Sequence, residues 1–136
     1  MKKEIRIAAI QNRSEPGAFA DNLENAGVLV EQATENGAQL VILPELFATG
    51  YAPNENIFSM GEKTTGPTLS WLKAQSKQHN IFLGGGVPVY DNDHLYNRFY
   101  LFDPNGKLCG YAQKDNGEAY CFKRGEGVFV IDTALG

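Results

Sequence analysis

The sequence has 136 residues, the length of one ordinary domain, and its 43% hydrophobic and 21% charged residues are typical of a globular protein. Its 12 basic and 16 acidic residues give a formal net charge of −4, which excludes a generally basic nucleic-acid-binding protein because no surplus of cations is available to meet phosphates. It contains neither the run of ~20 apolar residues that a membrane helix requires nor a cleavable leader pattern at its start, so we expect a cytoplasmic protein without a membrane partner.

The first third of the sequence predicts two buried strands joined by a helix. Residues 4–10 are apolar and β-branched, which is typical of a buried strand. Residues 18–36 carry apolar side chains at helical spacing, and Gly37 supplies the end of that helix. A second apolar run at residues 39–43 completes a strand–helix–strand unit, which predicts a parallel pair with a right-handed crossover.

The remaining elements predict one more strand of this kind and then a hairpin. Residues 49–66 are polar and rich in Gly and Pro, which indicates a long loop, and Pro67 fits the first position of a helix. Residues 81–89 predict a strand whose glycines allow a ligand or other backbone to approach closely. Asp-Pro-Asn-Gly at residues 103–106 predicts a hairpin turn, and residues 127–132 predict a final strand. The predicted fold class is therefore α/β.

Glu45 follows an apolar strand directly, through Leu43 and Pro44. In open α/β sheets the carboxyl ends of the strands are where ligand crevices form. Because Leu46 and Phe47 follow it, we expect the carboxylate to be partly desolvated, as suits a general base. The alternative is a carboxylate that is satisfied by loop amides or simply solvated, and Glu45 taken by itself favours that alternative.

Two sequence motifs make Glu45, Lys114 and Glu118 candidate site residues, although each taken alone would be interpreted as an ordinary surface charge. Gln39–Tyr51 reads QLVILPELFATGY and resembles the first signature of the carbon–nitrogen hydrolase (nitrilase-like amidase) superfamily. Gly110–Lys114 reads GYAQK, is followed by Glu118, and resembles the second signature. The resemblance runs through essentially the whole chain, in order, by way of Ile7-Ala8-Ala9-Ile10-Gln11, Gly66-Pro67, Gly84-Gly85-Gly86-Val87-Pro88 and Tyr96-Asn97.

The resemblance implies an enzyme that hydrolyses non-peptide C–N bonds of small amides, nitriles or carbamoyl compounds, on an α-β-β-α sandwich. Members of the superfamily use a Glu–Lys–Cys triad and commonly form homo-oligomers. Carried over, Glu45 corresponds to the general base and Lys114 to the cation that stabilises the tetrahedral intermediate. Glu118 corresponds to a second carboxylate that orients the substrate or the lysine. The resemblance implies no metal and no cofactor.

The nucleophilic cysteine of the superfamily has no counterpart in this sequence. In the family it follows a strand that here resembles Val128–Asp132, and the sequence ends at Gly136. Cys109 lies in the middle of a predicted strand, where an inert thiol is usual, and nothing around Cys121 resembles a sharp nucleophile turn. We therefore expect residues 1–136 to be a partial domain, about half of the fold, that is truncated before the nucleophile and inactive alone.

Two other functions remain open at this point. The chain could be a non-catalytic half-domain or interaction module that pairs with another chain. It could also be a nucleotide-binding α/β domain, on account of Gly84-Gly85-Gly86. The second is disfavoured because these glycines continue into a strand, whereas a phosphate-binding loop must open a helix.

Overall fold

The computed structural model describes residues 4–52, 54–115, 121–126 and 129–136. No helix formed by these residues has the length and apolar character that crossing a membrane requires. The strands are β1 (Ile7–Ala9), β2 (Leu40–Ile42), β3 (Glu62–Lys63), β4 (Phe82–Asp91), β5 (His94–Phe102) and β6 (Leu108–Gln113), and the helices are α1 (Phe19–Glu35), α2 (Ile57–Met60) and α3 (Pro67–His79).

The strands form one sheet in the order β1-β2-β4-β5-β6, and β3 pairs with the carboxyl-terminal end of β4. β1, β2 and β4 are parallel, with Ile7 opposite Leu40 and Leu40 opposite Phe82. β5 runs antiparallel to β4, and β6 antiparallel to β5. The α/β prediction is therefore confirmed, including the change from parallel units to a hairpin.

The main core lies between one face of this sheet and the helices. Because successive strand residues point to opposite faces, Val41, Leu83 and Val87 lie on the helix-covered face, and each is fully buried. They pack in one cluster with Val30 of α1 and Leu72 of α3. Burying one such aliphatic side chain contributes about 1.5–3 kcal/mol, so this layer is the main source of stability. The functional residues described below lie on the other face.

The segment predicted as a loop over residues 49–66 contains α2 and β3. Its regular structure is held by contacts with distant residues, since β3 pairs with β4 and Ile57 of α2 is fully buried. The Glu62 carboxylate of β3 also accepts the backbone N–H groups of Thr68 at 3.0 Å and Leu69 at 3.1 Å. These N–H groups lie in the first turn of α3 and have no partner within the helix. The N-cap residue, Gly66, has no side chain that could cap them. A negative charge at this end also suits the helix dipole.

The strand predicted over residues 127–132 is wrong in its described part, because residues 129–132 belong to no strand. Val130 is 90% exposed. The Ile131 side chain packs against β6 next to Gly110, but residues 129–132 do not pair with β6 as a strand. Ile131 of this apolar stretch thus contacts the sheet edge by its side chain, while Val130 stays in solvent.

The predicted hairpin turn joins β5 to β6 and is built around Asp103. Its carboxylate accepts the backbone N–H groups of Asn105 at 2.9 Å and Lys107 at 2.8 Å, while Gly106 takes the left-handed conformation with φ of 75°. The backbone hydrogen bond from Lys107 is the largest influence that holds the pKa of Asp103 below its usual value.

We expect the Asp103→Asn variant to be less stable than the wild type at pH 6, and the difference to shrink as the pH falls. The folded-state pKa is lowered, so the carboxylate stabilises the fold fully above its unfolded pKa of about 3.9 and loses this contribution as pH falls through the folded value. Urea unfolding midpoints of both proteins at pH 6 and pH 3 measure the effect. A difference that grows toward pH 3 would contradict it.

Candidate active site

Glu45 lies beyond the carboxyl end of β2, at the start of a tight turn formed by residues 45–50, here called the Glu45 turn. Leu46 has φ of 53°, a left-handed conformation that is uncommon for a residue with a branched side chain. Its carbonyl accepts the N–H groups of Thr49 and Gly50 at 3.2 and 2.9 Å. Leu46 and Phe47 are fully buried, so the turn is anchored in the protein while the Glu45 side chain stays 38% exposed. The expected partial desolvation of Glu45 is thus limited.

Two of the three glycines of β4 allow the Glu45 turn to approach the sheet. A β-carbon on Gly86 would lie 2.8 Å from the Glu45 α-carbon, and one on Gly85 would lie 2.7 Å from the Phe47 ring. Gly84 similarly accommodates a ring, that of Phe99. The close approach predicted for this strand is therefore made by the protein's own backbone and aromatic side chains.

Lys114 is the first residue after β6, and it meets Glu45 although 69 positions separate them. Its Nζ donates to Glu45 Oε1 at 2.7 Å, and its backbone N–H donates to the Asn97 carbonyl at 2.9 Å. The Lys114 side chain is 33% exposed and that of Glu45 38%. A half-exposed ion pair of this kind contributes about 0–1 kcal/mol to stability, so stability is a weak explanation for its presence.

Asn97 of β5 completes the arrangement and was not singled out as a site residue by the sequence. It is 5% exposed, and its Nδ2 donates a hydrogen bond to the same oxygen of Glu45, Oε1. The available signal was an amide within the largely apolar run Leu95–Phe102, since a buried polar side chain requires a partner.

A cavity of about 280 Å³ opens beside these three side chains. Besides them its wall includes Gly86, Phe99, Ala112 and Gln113. An ion pair at the edge of a mostly apolar hollow is an arrangement that can bind a small polar molecule and exchange a proton with it.

The structure brings Glu45 and Lys114 together, whereas the third predicted site residue, Glu118, lies outside the described residues. Cys121 is 4% exposed in an apolar cluster with Leu46. Cys109 lies on β6, where burial, and then the nearby Asp103 carboxylate, raise the pKa of its thiol and leave it less reactive. Neither cysteine lines the cavity. No group of three His, Cys, Asp or Glu side chains suited to a metal ion occurs in the described part of the chain.

Comparisons with known proteins agree on one family. The sequence profile of the family described as "Carbon-nitrogen hydrolase" matches residues 6–136. A nitrilase of Pyrococcus abyssi is 31% identical over 112 residues, which cover 80% of this chain and 43% of that protein. An omega-amidase of Xenopus laevis is 33% identical over 106 residues, which cover 77% of this chain and 38% of that protein.

Solved structures show the same relation in three dimensions. The crystal structure of an amidase from Nesterenkonia sp. superposes with a TM-score of 0.89 at 26% identity and covers 100% of this chain but 54% of its own. The chain thus spans about half the length of the relatives that it matches.

Proposed function

The chain belongs to the carbon–nitrogen hydrolase family, and from this membership we propose that it supplies the base and the lysine of an enzyme that hydrolyses small-molecule amides. The observation that carries the proposal is the contact of Glu45 and Lys114 at 2.7 Å beside a cavity. Amides are favoured over nitriles or carbamoyl compounds because two of the three similar proteins named above are an omega-amidase and an amidase, whereas one is a nitrilase. We extend to this chain the family's cytoplasmic, homo-oligomeric character.

In the proposed reaction Glu45 is the general base and then the general acid. Its carboxylate takes the proton of a thiol, and the thiolate attacks the amide carbon to form a C–S bond. The Lys114 ammonium stabilises the oxyanion that develops on the carbonyl oxygen. Glu45 then gives its proton to the nitrogen as the C–N bond breaks, and ammonia or an amine leaves. Water hydrolyses the thioester by the same exchange of a proton with Glu45, which restores the thiol.

We propose that the thiol belongs to a segment outside these 136 residues. Cys121 is buried in an apolar cluster and Cys109 lies on β6 away from the cavity lining, so neither is placed to attack a molecule held beside Glu45. In this proposal Glu118 orients the substrate or Lys114, as the resemblance implies.

The test compares two proteins: the 136-residue chain alone, and a longer protein expressed from the same gene with the coding sequence downstream of residue 136 included. Ammonia release is measured from a panel of small primary amides, including ω-amides of dicarboxylic acids. We expect turnover by the longer product and none by the chain alone. Ammonia release by the chain alone that is lost in Cys121→Ser would contradict the assignment of the nucleophile. No hydrolysis by either product would contradict the enzyme assignment.

A non-catalytic half-domain that pairs with another chain is the second candidate. It is favoured by two adjacent apolar side chains that are left in solvent, Phe129 at 52% exposure and Val130 at 90%. Such surface commonly marks a protein–protein contact. Light scattering of the chain alone tests whether this surface self-associates, and a monodisperse monomer would count against pairing between copies of the chain.

A further inference from the structure

We propose that Asn97 is a positioning residue that, together with Lys114, holds Glu45 by Oε1 and thereby confines the transferred proton to Oε2. The inference rests on the proposed function, because it concerns the same carboxylate. It goes beyond that function by identifying which carboxylate oxygen of Glu45 carries the proton and by assigning Asn97 as the residue that determines this.

The geometry places two donors on one oxygen. Lys114 Nζ donates to Glu45 Oε1 at 2.7 Å, and Asn97 Nδ2 donates to the same atom. Among the described residues no hydrogen bond is made to Oε2. Glu45 also lines the cavity, so Oε2, to which none of the described residues donates, is the oxygen that a bound molecule can use.

The chemistry of these donors disfavours a proton on Oε1 relative to Oε2. A lysine ammonium has only donors, and the amino group of an asparagine amide likewise only donates. A hydrogen on Oε1 would occupy one of the two lone pairs that accept from Lys114 and Asn97, so it would displace one of these charge-assisted hydrogen bonds and weaken the other. A hydrogen on Oε2 leaves both bonds in place. The base can thus accept and return a proton without its carboxylate turning.

Asn97 is suited to this role by its place in the sheet. It lies opposite Pro88 in the β4–β5 ladder, and at 5% exposure its side chain has little freedom to leave. Its carbonyl also accepts the Lys114 backbone N–H at 2.9 Å. One residue of a central strand therefore fixes both partners of the ion pair, the side chain holding Glu45 and the main chain holding Lys114.

The first test requires no turnover and uses the 136-residue chain. Atomic-resolution crystal structures are determined at neutral pH and after stepwise transfer to acid, until the two Cδ–O bonds of Glu45 become unequal. The protonated oxygen of a carboxyl group has the longer bond. We expect the longer bond to be Cδ–Oε2, with the Asn97 and Lys114 contacts retained. A longer Cδ–Oε1 bond would overturn the proposal.

The second test uses the catalytically complete protein and separates kcat from KM. We expect Asn97→Leu, which keeps the volume but removes the donor, to lower kcat by about 10- to 100-fold with KM changed less than about twofold. Asn97→Ser, which retains a shorter donor, should fall between Asn97→Leu and the wild type. Asn25→Leu, the same change on an exposed residue of α1, is the control and should leave kcat unchanged.

The outcomes distinguish this inference from the proposed function. A folded Asn97→Leu enzyme that keeps the wild-type kcat, while Glu45→Gln is inactive, overturns the role of Asn97 alone. Full turnover by Glu45→Gln overturns the proposed function, and the bond lengths then still decide which oxygen carries the proton. If Asn97→Leu fails to fold, Asn97→Ser and the bond lengths decide the question.

Discussion

Replacing Glu45 by glutamine should lower kcat/KM for an amide by about 10²- to 10⁴-fold in the catalytically complete protein, the range typical for loss of a general base. Glutamine keeps the length of the side chain and an oxygen that can accept from Lys114 Nζ, which lies 2.7 Å from Oε1 in the wild type, but it cannot take a proton from a thiol. Because the Glu45 side chain is 38% exposed, its neutral replacement should alter the free energy of unfolding little.

The measurement is steady-state hydrolysis of one primary amide, accompanied by urea unfolding of each variant. Lys114→Met should also lower kcat, by about 10²- to 10³-fold, because it removes the charge that meets the oxyanion. Glu55→Gln is the control, since Glu55 is exposed and does not line the cavity. Retained turnover in a folded Glu45→Gln protein would remove Glu45 from the proposed mechanism.

Replacing Gly86 by alanine should destabilise the 136-residue chain by about 1–3 kcal/mol, the usual cost of forcing a methyl group into a filled space. The new β-carbon would lie 2.8 Å from the Glu45 α-carbon and 3.1 Å from the Leu46 nitrogen. Both are backbone atoms, which cannot swing aside, so the Glu45 turn must move away from β4. In the complete protein we expect the same change to lower turnover, because Glu45 moves relative to Lys114.

Gly27→Ala is the matched control for this variant. A β-carbon on Gly27 would make an ordinary contact of 3.7 Å with Trp71, and Gly27 lies within α1, where alanine is favoured over glycine by roughly 0.5–1 kcal/mol. Gly27→Ala should therefore raise the free energy of unfolding while Gly86→Ala lowers it. Equal effects of both substitutions in urea unfolding would show that local propensity, and not contact with the Glu45 turn, controls position 86.

The sequence predicts those parts of the fold that local pattern determines. Helical spacing and Gly37 locate α1, whose observed end is Glu35, and Asp-Pro-Asn-Gly locates the β5–β6 turn. The segment over residues 49–66 was predicted less well, because β3 forms by pairing with β4 and α2 packs Ile57 into a cluster with Leu46 and Leu95. Contacts with residues distant in sequence leave no periodic signal in the segment itself.

The candidate site was likewise predicted only in part from the sequence. Glu45 and Lys114 were found from two motifs, although their contact spans 69 positions and no local rule brings them together. Asn97 was missed as a site residue because its contact with Glu45 depends on the register that sets it opposite Pro88. Gly86 was recognised as a point of close approach, but the sequence did not reveal that the approaching group is the backbone of Glu45 itself.

The left-handed conformation of Leu46 limits how this position can vary in evolution. Glycine would relieve a backbone cost of about 1–2 kcal/mol, but it would vacate a fully buried site in the cluster with Ile57 and Leu95, where truncating a leucine costs about 2–5 kcal/mol. β-Branched residues would fill the site and increase the backbone cost. The backbone conformation at position 46 favours glycine, whereas packing favours a large apolar side chain. We therefore expect few substitutions of Leu46 to leave stability unchanged.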